Sequence, residues 1–115
     1  MLISFLLAGT TMLAAGAAVS AGEAPCPKNK VCIFDGNDYS GLLDSRRPGG
    51  RLRNVSSAAS DGMDSWINQT KKNAAWYHDI NGKGNCHDMK RMSRDPNINF
   101  FASDELSSWK TNRGC

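Results

Sequence analysis

Four cysteines and two histidines are the side chains in this 115-residue chain best suited to disulfide or metal chemistry. The cysteines are Cys26, Cys32, Cys86 and Cys115. Structural zinc sites usually use Cys-x-x-Cys pairs and closely spaced histidines. Neither pattern occurs here, because His78 and His87 lie nine residues apart. We therefore expect disulfides. Four cysteines allow three pairings, of which sequence proximity favours Cys26–Cys32 together with Cys86–Cys115.

Serine and histidine could also carry out nucleophilic catalysis, but their surroundings in the sequence argue against it. No Gly-x-Ser-x-Gly nucleophile elbow occurs. Each histidine precedes an aspartate, Asp79 or Asp88, and neighbouring residues of a strand point to opposite faces. Neither pair is a ready-made His–Asp dyad. We predict that the protein is not an enzyme and that both histidines are surface residues.

A run of serine and aspartate that ends in tryptophan occurs twice, 43 residues apart. The first copy is residues 60–66 and the second is residues 103–109. At the same offset Phe34 falls on Tyr77 and Gly41 on Gly84, with no gap between 31–66 and 74–109. A fixed period of this size indicates an internal duplication. Two such units predict one small domain.

The first 21 residues contain no Asp, Glu, Lys, Arg or His. An apolar run, residues 2–8, precedes small residues that include Val19-Ser20-Ala21, a suitable signal-peptidase site. A second cleavage site is possible at residues 22–24. A membrane anchor is the alternative, but Gly9 and Gly16 interrupt the run, and a spanning helix needs about 20 predominantly apolar residues. We predict a signal peptide over residues 1–21, secretion, and a single stapled domain over residues 22–115.

The charge balance points to no nucleic-acid partner. The formal net charge is +3, from 14 basic and 11 acidic residues. The basic pairs Arg46-Arg47 and Lys71-Lys72 do not form the basic face with interleaved aromatics that nucleic-acid binding needs.

Short β-rich runs separated by turn residues predict an all-β fold. The expected strands of unit one are residues 31–34, 52–57 and 65–68. Those of unit two are residues 75–77, 97–101 and 108–110. A hairpin loop folds back at residues 35–41, with Gly41 at positive φ, and its counterpart is residues 79–84. Residues 89–94 are expected to form a basic connecting loop. No segment has a long helical period.

The spacing Phe34-x4-Tyr39-x-Gly41, followed by a closing Ser-Trp pair in each unit, resembles the βγ-crystallin Greek-key motif. That resemblance implies two Greek-key motifs packed as a two-sheet sandwich, with motif one over residues 31–69 and motif two over 74–110. Unit two departs from the motif, because Gly82 stands where the second aromatic belongs. Its hairpin is therefore expected to be less well covered.

Within that fold the chain resembles the actinobacterial secreted proteins of peptidase inhibitor family 36. The matching stretches are Cys26-Pro27-x4-Cys32-Ile33-Phe34, residues 35–41, Asn54, residues 64–68 and residues 107–109. The type member of that family inhibits bacterial metalloproteinases. The resemblance implies a secreted monomer that blocks a zinc metalloproteinase, with no cofactor and no membrane contact after signal cleavage.

Calcium is the one ion that the resemblance raises. Calcium-binding βγ-crystallins close each motif with an oxygen-rich turn, and hard cations prefer such ligands. The corresponding residues are Asp61, Asp64, Asp104 and Ser107. Serine replaces the usual first acidic or amide residue in both turns, so any calcium site should be weak.

An inhibitor of this kind needs an exposed, rigid loop instead of a catalytic group. Three exposed loops are predicted, at residues 46–51, 69–74 and 83–94. No loop matches a family motif residue by residue, so the inhibitory loop is not assigned. Two other functions fit the same fold: a calcium-binding or structural βγ-crystallin module, and a killer-toxin-like or surface-binding protein.

Overall fold

A computed structural model describes residues 25–56, 60, 62–98 and 105–115. Eight short strands form two four-stranded antiparallel sheets, so the predicted all-β, two-sheet fold is confirmed. The strands are β1 (Val31–Phe34), β2 (Leu42–Arg46), β3 (Arg53–Asn54), β4 (Ser65–Asn68), β5 (Ala74–Tyr77), β6 (Cys86–Met89), β7 (Ser93–Asp95) and β8 (Ser108–Lys110). The predicted signal peptide over residues 1–21 lies outside the described residues. Within the described ranges no helix is long and apolar enough to cross a membrane.

The two units exchange their third strands. The first sheet has the order β2-β1-β4-β7 and the second β3-β8-β5-β6. Strand β3 of unit one therefore pairs with β8 of unit two, and β7 of unit two pairs with β4 of unit one. Each sheet needs a strand from the other unit, so the duplicated sequence folds as a single interlocked domain.

The third strands are where the sequence-based prediction was wrong. The predicted strand over residues 52–57 is limited to Arg53–Asn54. The predicted connecting loop over 89–94 instead contains the end of β6 and the start of β7. The predicted strand over 97–101 does not begin at Asn97 or Ile98, and residues 99–101 lie outside the described part. Both third strands are edge strands of polar residues that are exposed or partly exposed, so they lack the apolar run that marks a buried strand.

The pairing register of the third strands also departs from the 43-residue offset that relates the two units. Arg53 pairs with Trp109, whereas Asp95 pairs with Trp66. Since Trp66 and Trp109 are 43 residues apart, Arg53 and Asp95 are counterparts at an offset of 42. The offset returns to 43 at Val55 and Ile98, whose N–H groups donate to Ser107 and Asp64 respectively. Unit two thus has one extra residue after its third strand.

The core lies between the two sheets and is built by both units. Its largest fully buried members are Trp76, Trp109, Ile33, Met63, Met89 and Leu106, and Trp66 is nearly as buried. A second cluster, Cys26, Cys32, Phe34 and Ile67, covers the opposite face of the first sheet. Strand β1 is buried on both faces, which explains its continuous apolar sequence.

Two disulfides tie the ends of the domain to the sheets. Cys26–Cys32 holds the amino-terminal arm, residues 25–30, against β1, and Cys86–Cys115 holds the carboxyl terminus to β6. This is the pairing that sequence proximity favours. Bridges of this kind compensate for the small core of such a domain.

Candidate functional site

The closing serine of each unit fastens a folded hairpin. The Ser65 hydroxyl donates to the Gly36 carbonyl at 2.6 Å and accepts the Tyr39 N–H at 3.1 Å. The Ser108 hydroxyl donates to the Asp79 carbonyl at 2.7 Å and accepts the Gly82 N–H at 3.0 Å. Both serines are buried. The repeated serine therefore has the same structural role in both units.

The hairpin of unit one is covered by an aromatic pair. The Tyr39 ring lies edge-on to Phe34, with ring centroids 5.8 Å apart. Gly41 has φ +72°, as predicted, and Tyr39 itself has φ +63°. The guanidinium of Arg94 lies 6.0 Å from the centre of the Tyr39 ring. Unit two contributes this arginine to the cover over unit one.

The hairpin of unit two is covered differently. Gly82 takes the position of the second aromatic and has φ +70°. Leu52 of unit one lies over it, so closely that a Cβ atom on Gly82 would be 2.8 Å from a Leu52 methyl carbon. At the third-strand offset of 42, Leu52 is the counterpart of Arg94. The missing ring is thus replaced by a side chain from the other unit.

The predicted calcium residues are only partly described. Asp61 and Asp104 lie outside the described residues. Asp64 donates its N–H to Phe34 and accepts from Ile98, and Ser107 donates its N–H to Tyr77 and accepts from Val55. Asp64 and Ser107 therefore hold equivalent backbone positions in the two turns. Calcium binding stays a prediction.

Parts of all three predicted loops meet at one end of the domain. Together with the amino-terminal arm they line a shallow depression of about 470 Å³. Its lining residues are Lys28, Asn29, Pro48, Gln69, Lys71, Lys72 and Met92. We call this the loop surface. It lies at the opposite end of β1, β4 and β5 from the two folded hairpins, which contain the short 3-10 turns Asn37–Tyr39 and Ile80–Gly82. Sequence reasoning found the three loops but not their convergence, which depends on the strand exchange.

The segment that joins the two units, residues 69–73, is held in place by hydrogen bonds to two buried polar residues, Asn68 and Thr70. The Asn68 side-chain amide donates to the carbonyls of Lys72 and Met89 at 2.9 and 2.8 Å. Its oxygen accepts the Thr70 N–H at 2.9 Å. The Thr70 hydroxyl lies within hydrogen-bond distance of Asn68 and of the Lys72 backbone. Lys71 and Lys72 are therefore presented on a fixed backbone.

The loop after β2 is fastened to the end of β8. Thr111 accepts the Gly50 N–H on its hydroxyl at 2.8 Å and the Gly49 N–H on its carbonyl at 2.7 Å. Arg46, predicted to be a loop residue, instead ends β2 and is buried. Its guanidinium donates to the carbonyls of Trp109 and Arg51 at 3.0 and 2.6 Å. Burial lowers the pKa of Arg46, and the nearby positive charge of Arg53 adds to that shift.

The turn between β6 and β7 presents Met92. Its N–H donates to the Thr70 carbonyl at 3.1 Å, and the Arg91 N–H donates to the Asn73 side chain at 2.9 Å. Met92 has φ +50° and is 66% exposed. A positive φ is uncommon for any residue other than glycine. The turn thus displays a large apolar side chain on a strained, hydrogen-bonded backbone.

The two histidines, predicted to be surface residues, are half-buried and lie together. Their Nε2 atoms are 2.8 Å apart, and both rings stack on the buried Trp76. His78 follows β5 directly, and His87 is the cross-strand partner of Trp76 on β6. Burial, and then the proximity of His78, lower the pKa of His87. Eight residues separate the two histidines in the sequence, so the contact forms only because the hairpin brings them together.

Comparison with known proteins bears on both fold and family. The family model for peptidase inhibitor family I36 matches residues 19–89, which is more than half of the chain. No curated protein matches the chain.

Solved structures that resemble the chain are βγ-crystallin domains. One, from work on the evolution of the eye-lens βγ-crystallin domain fold, has a TM-score of 0.60 and 18% identity, covering 72% of this chain and 84% of that one. A domain from Clostridium beijerinckii gives 0.58 and 22%, covering 70% and 93%. A domain from Flavobacterium johnsoniae gives 0.56 and 20%, covering 70% and 90%. At these identities the similarity establishes the fold.

Proposed function

Because the chain belongs to peptidase inhibitor family I36, we propose that it is a secreted protein that inhibits a zinc metalloproteinase by occluding the protease cleft with its loop surface. The two disulfides suit an extracellular protein. The proposed inhibitor acts as a monomer, binds one protease molecule and performs no catalysis itself. The observation that carries the proposal is the convergence of three anchored loops on one depression.

Rigidity is the first requirement that the loop surface meets. Binding costs about 0.5–1.5 kcal/mol for each side chain that must be immobilised, and ordering a loop adds to this cost. Here the arm is stapled by Cys26–Cys32. The Asn29 N–H donates to the Gln69 carbonyl, and the Gln69 N–H donates to the Lys30 carbonyl. The buried Asn68 and Thr70 fix the joining segment. A surface ordered before binding keeps most of its contact energy as affinity.

An exposed apolar anchor is the second requirement. Strong contacts at protein interfaces concentrate in a few large side chains that enter pockets of the partner. Met92 is the most exposed large apolar residue that the structure describes. It lines the depression beside Lys71 and Lys72. We therefore place Met92 at the centre of the contact.

Charge is the third feature. Three exposed lysines, Lys28, Lys71 and Lys72, line the depression, and its described lining contains no acidic side chain. A basic surface associates fastest with an acidic one, and salt screens that attraction. The proposed partner thus has acidic side chains around its cleft, and association should slow as ionic strength rises.

A titration of oxidised residues 22–115 against a thermolysin-like zinc protease, with calcium present throughout, tests the proposal. We expect activity to fall linearly to an end point near one inhibitor per protease. Met92→Ala should weaken inhibition by roughly thirtyfold, equivalent to about 2 kcal/mol. Ile80→Ala is the matched control, because Ile80 is also apolar and 56% exposed but lies in the hairpin of unit two. No loss of activity with this or related zinc proteases would refute the proposal.

A calcium-binding module is the second candidate. Its support is the equivalent backbone role of Asp64 and Ser107 at the fifth position of the two closing turns. Thermal melting in calcium and in chelator tests it, with Asp64→Asn as the variant. A calcium-dependent rise in melting temperature that the variant loses would favour this function, and identical melting curves would rule it out.

A further inference from the structure

The chain's only two histidines form a bite suited to a metal ion. His78 and His87 place their Nε2 atoms 2.8 Å apart at the hairpin end of the second sheet. From this geometry we propose that the two Nε2 atoms bind one copper(II) ion, with water at its remaining positions. The site lies away from the loop surface and does not depend on the inhibitor proposal.

The separation of the two nitrogens selects the kind of ion. Imidazole nitrogens bind divalent metals at about 2.0–2.1 Å. Two nitrogens 2.8 Å apart then subtend about 90° at the metal, whereas a tetrahedral zinc site needs roughly 3.3 Å. Square-planar and tetragonal geometry with nitrogen ligands is typical of copper(II) and nickel(II). Copper(II) forms the more stable complexes of the two.

The surroundings fix both rings in place. Trp76 stacks on His87 with ring centroids 4.3 Å apart, and on His78 at 5.2 Å. Glu105 lies 3.7 Å from His78 Nδ1. A carboxylate near the distal nitrogen of a ligating histidine is a common arrangement, because it orients the ring and favours the Nδ1–H tautomer. That tautomer leaves His78 Nε2 free to bind a metal.

Solvent access also suits an ion that keeps water ligands. Strand β6, which carries His87, is an edge strand of its sheet. His87 is partly exposed, whereas Met89 on the same strand is buried in the core. The pair therefore lies at the rim of the core, where an ion can enter without opening the sandwich. No cluster of three or more metal-ligating side chains occurs in the described ranges, so two histidines define the site.

In the metal-free protein the same contact accommodates a hydrogen bond between the two rings. With the His78 proton on Nδ1, beside Glu105, the His87 Nε2–H would donate to His78 Nε2. Binding of copper(II) moves the His87 proton from Nε2 to Nδ1, so that both Nε2 lone pairs face the ion. Each ring keeps one proton, so no net proton release is needed from the neutral pair.

Titration of the chelator-treated, oxidised protein with copper(II) ions tests the proposal. Copper(II) quenches nearby tryptophan, so we expect Trp76 emission to fall and to saturate at one ion per chain. His78→Gln and His87→Gln should each abolish the saturable quenching. Glu105→Gln should retain it with about tenfold weaker affinity, because it removes only the orienting carboxylate. Melting curves in chelator show whether each variant is folded.

Electron paramagnetic resonance of the wild-type complex provides a second measurement that does not depend on the variants. We expect hyperfine coupling to two imidazole nitrogens. Absence of saturable quenching would mean that the histidines form a hydrogen-bonded pair only and would overturn the proposal. Quenching that survives in both folded histidine variants would overturn it as well, because the ion would then be bound elsewhere.

Discussion

The two Greek-key units share the serine hydrogen bonds that hold their hairpins, but they differ in the side chains that surround those hairpins. Ser65 and Ser108 make the same two hydrogen bonds in the two hairpins. Around this common frame the side chains differ. Unit one has an aromatic corner at Tyr39, and unit two has a glycine covered by Leu52. The shared bonds maintain the fold, and the differing positions are free to acquire function.

The sharpest difference is at the turn after the second strand of each unit. Gly49 and Met92 are counterparts at the 43-residue offset, and both have positive φ, +88° and +50°. Glycine accepts this backbone without strain, whereas methionine adopts it at a cost; the proposed contact role of Met92 would account for its presence there. Both Met92 and the histidine pair belong to unit two.

The two disulfides should separate stability from inhibition. Chain entropy gives about 3.6 kcal/mol for Cys86–Cys115 and about 2.4 kcal/mol for Cys26–Cys32, because the second closes a shorter loop. Urea unfolding of the two double-alanine variants measures these losses. Inhibition should follow the opposite order, since the arm held by Cys26–Cys32 lines the loop surface. A folded C26A/C32A protein with full potency would show that the arm is not part of the contact.

Replacing either closing serine should lower the free energy of unfolding by a similar amount. Ser65→Ala and Ser108→Ala each remove two part-buried hydrogen bonds, at a cost of about 0.5–1.5 kcal/mol for each bond. Both losses are measured by urea unfolding. Ser40→Ala is the control, because Ser40 is exposed and donates only to Asn37 within the same hairpin. Clearly unequal losses for Ser65 and Ser108 would mean that the aromatic corner of unit one supports its hairpin independently.

The loss of stability caused by substituting Gly82 should depend on whether Leu52 is present. Gly82→Ala forces a Cβ against a Leu52 methyl and places alanine at φ +70°, for an expected loss of about 1–2 kcal/mol. In a Leu52→Ala background the loss should shrink by about 0.5 kcal/mol, because the crowding is removed. A double-mutant cycle from urea unfolding measures this term. Additive effects would contradict the proposed replacement of the ring by Leu52.

The smallest effects on stability should come from the Gly49 and Met92 pair. Gly49→Ala places its Cβ in open space, so only the backbone strain of about 1 kcal/mol should appear. Met92→Gly relieves that strain but frees the unfolded chain by about 0.4–1 kcal/mol, so its net effect on unfolding should be near zero. Inhibition by Met92→Gly should nevertheless fall. Unchanged inhibitory potency would show that Met92 is not part of the contact with the protease.

The hydrogen-bonded hairpins could be predicted from the sequence, but the positions of the third strands and of the loops relative to one another could not. The repeated Ser-Trp pairs and the Phe34–Tyr39–Gly41 spacing predicted two hairpins, because local spacing alone determines that geometry. Strand β7 could not be predicted, because Ser93, Arg94 and Asp95 gain strand structure only by pairing with β4. The contact between His78 and His87 likewise depends on the register of β5 and β6. The convergence of the loops required the strand exchange, which no local pattern encodes.

Amide hydrogen exchange of the one-to-one complex with a thermolysin-like zinc protease tests the central proposal most directly. We predict slowed exchange in residues 28–30, 69–73 and 90–92, which form or flank the loop surface. Exchange in the hairpins at residues 35–41 and 79–84 should match that of the free protein. Protection confined to the hairpins would contradict the proposal, because the inhibitor would then bind through the opposite end of the domain.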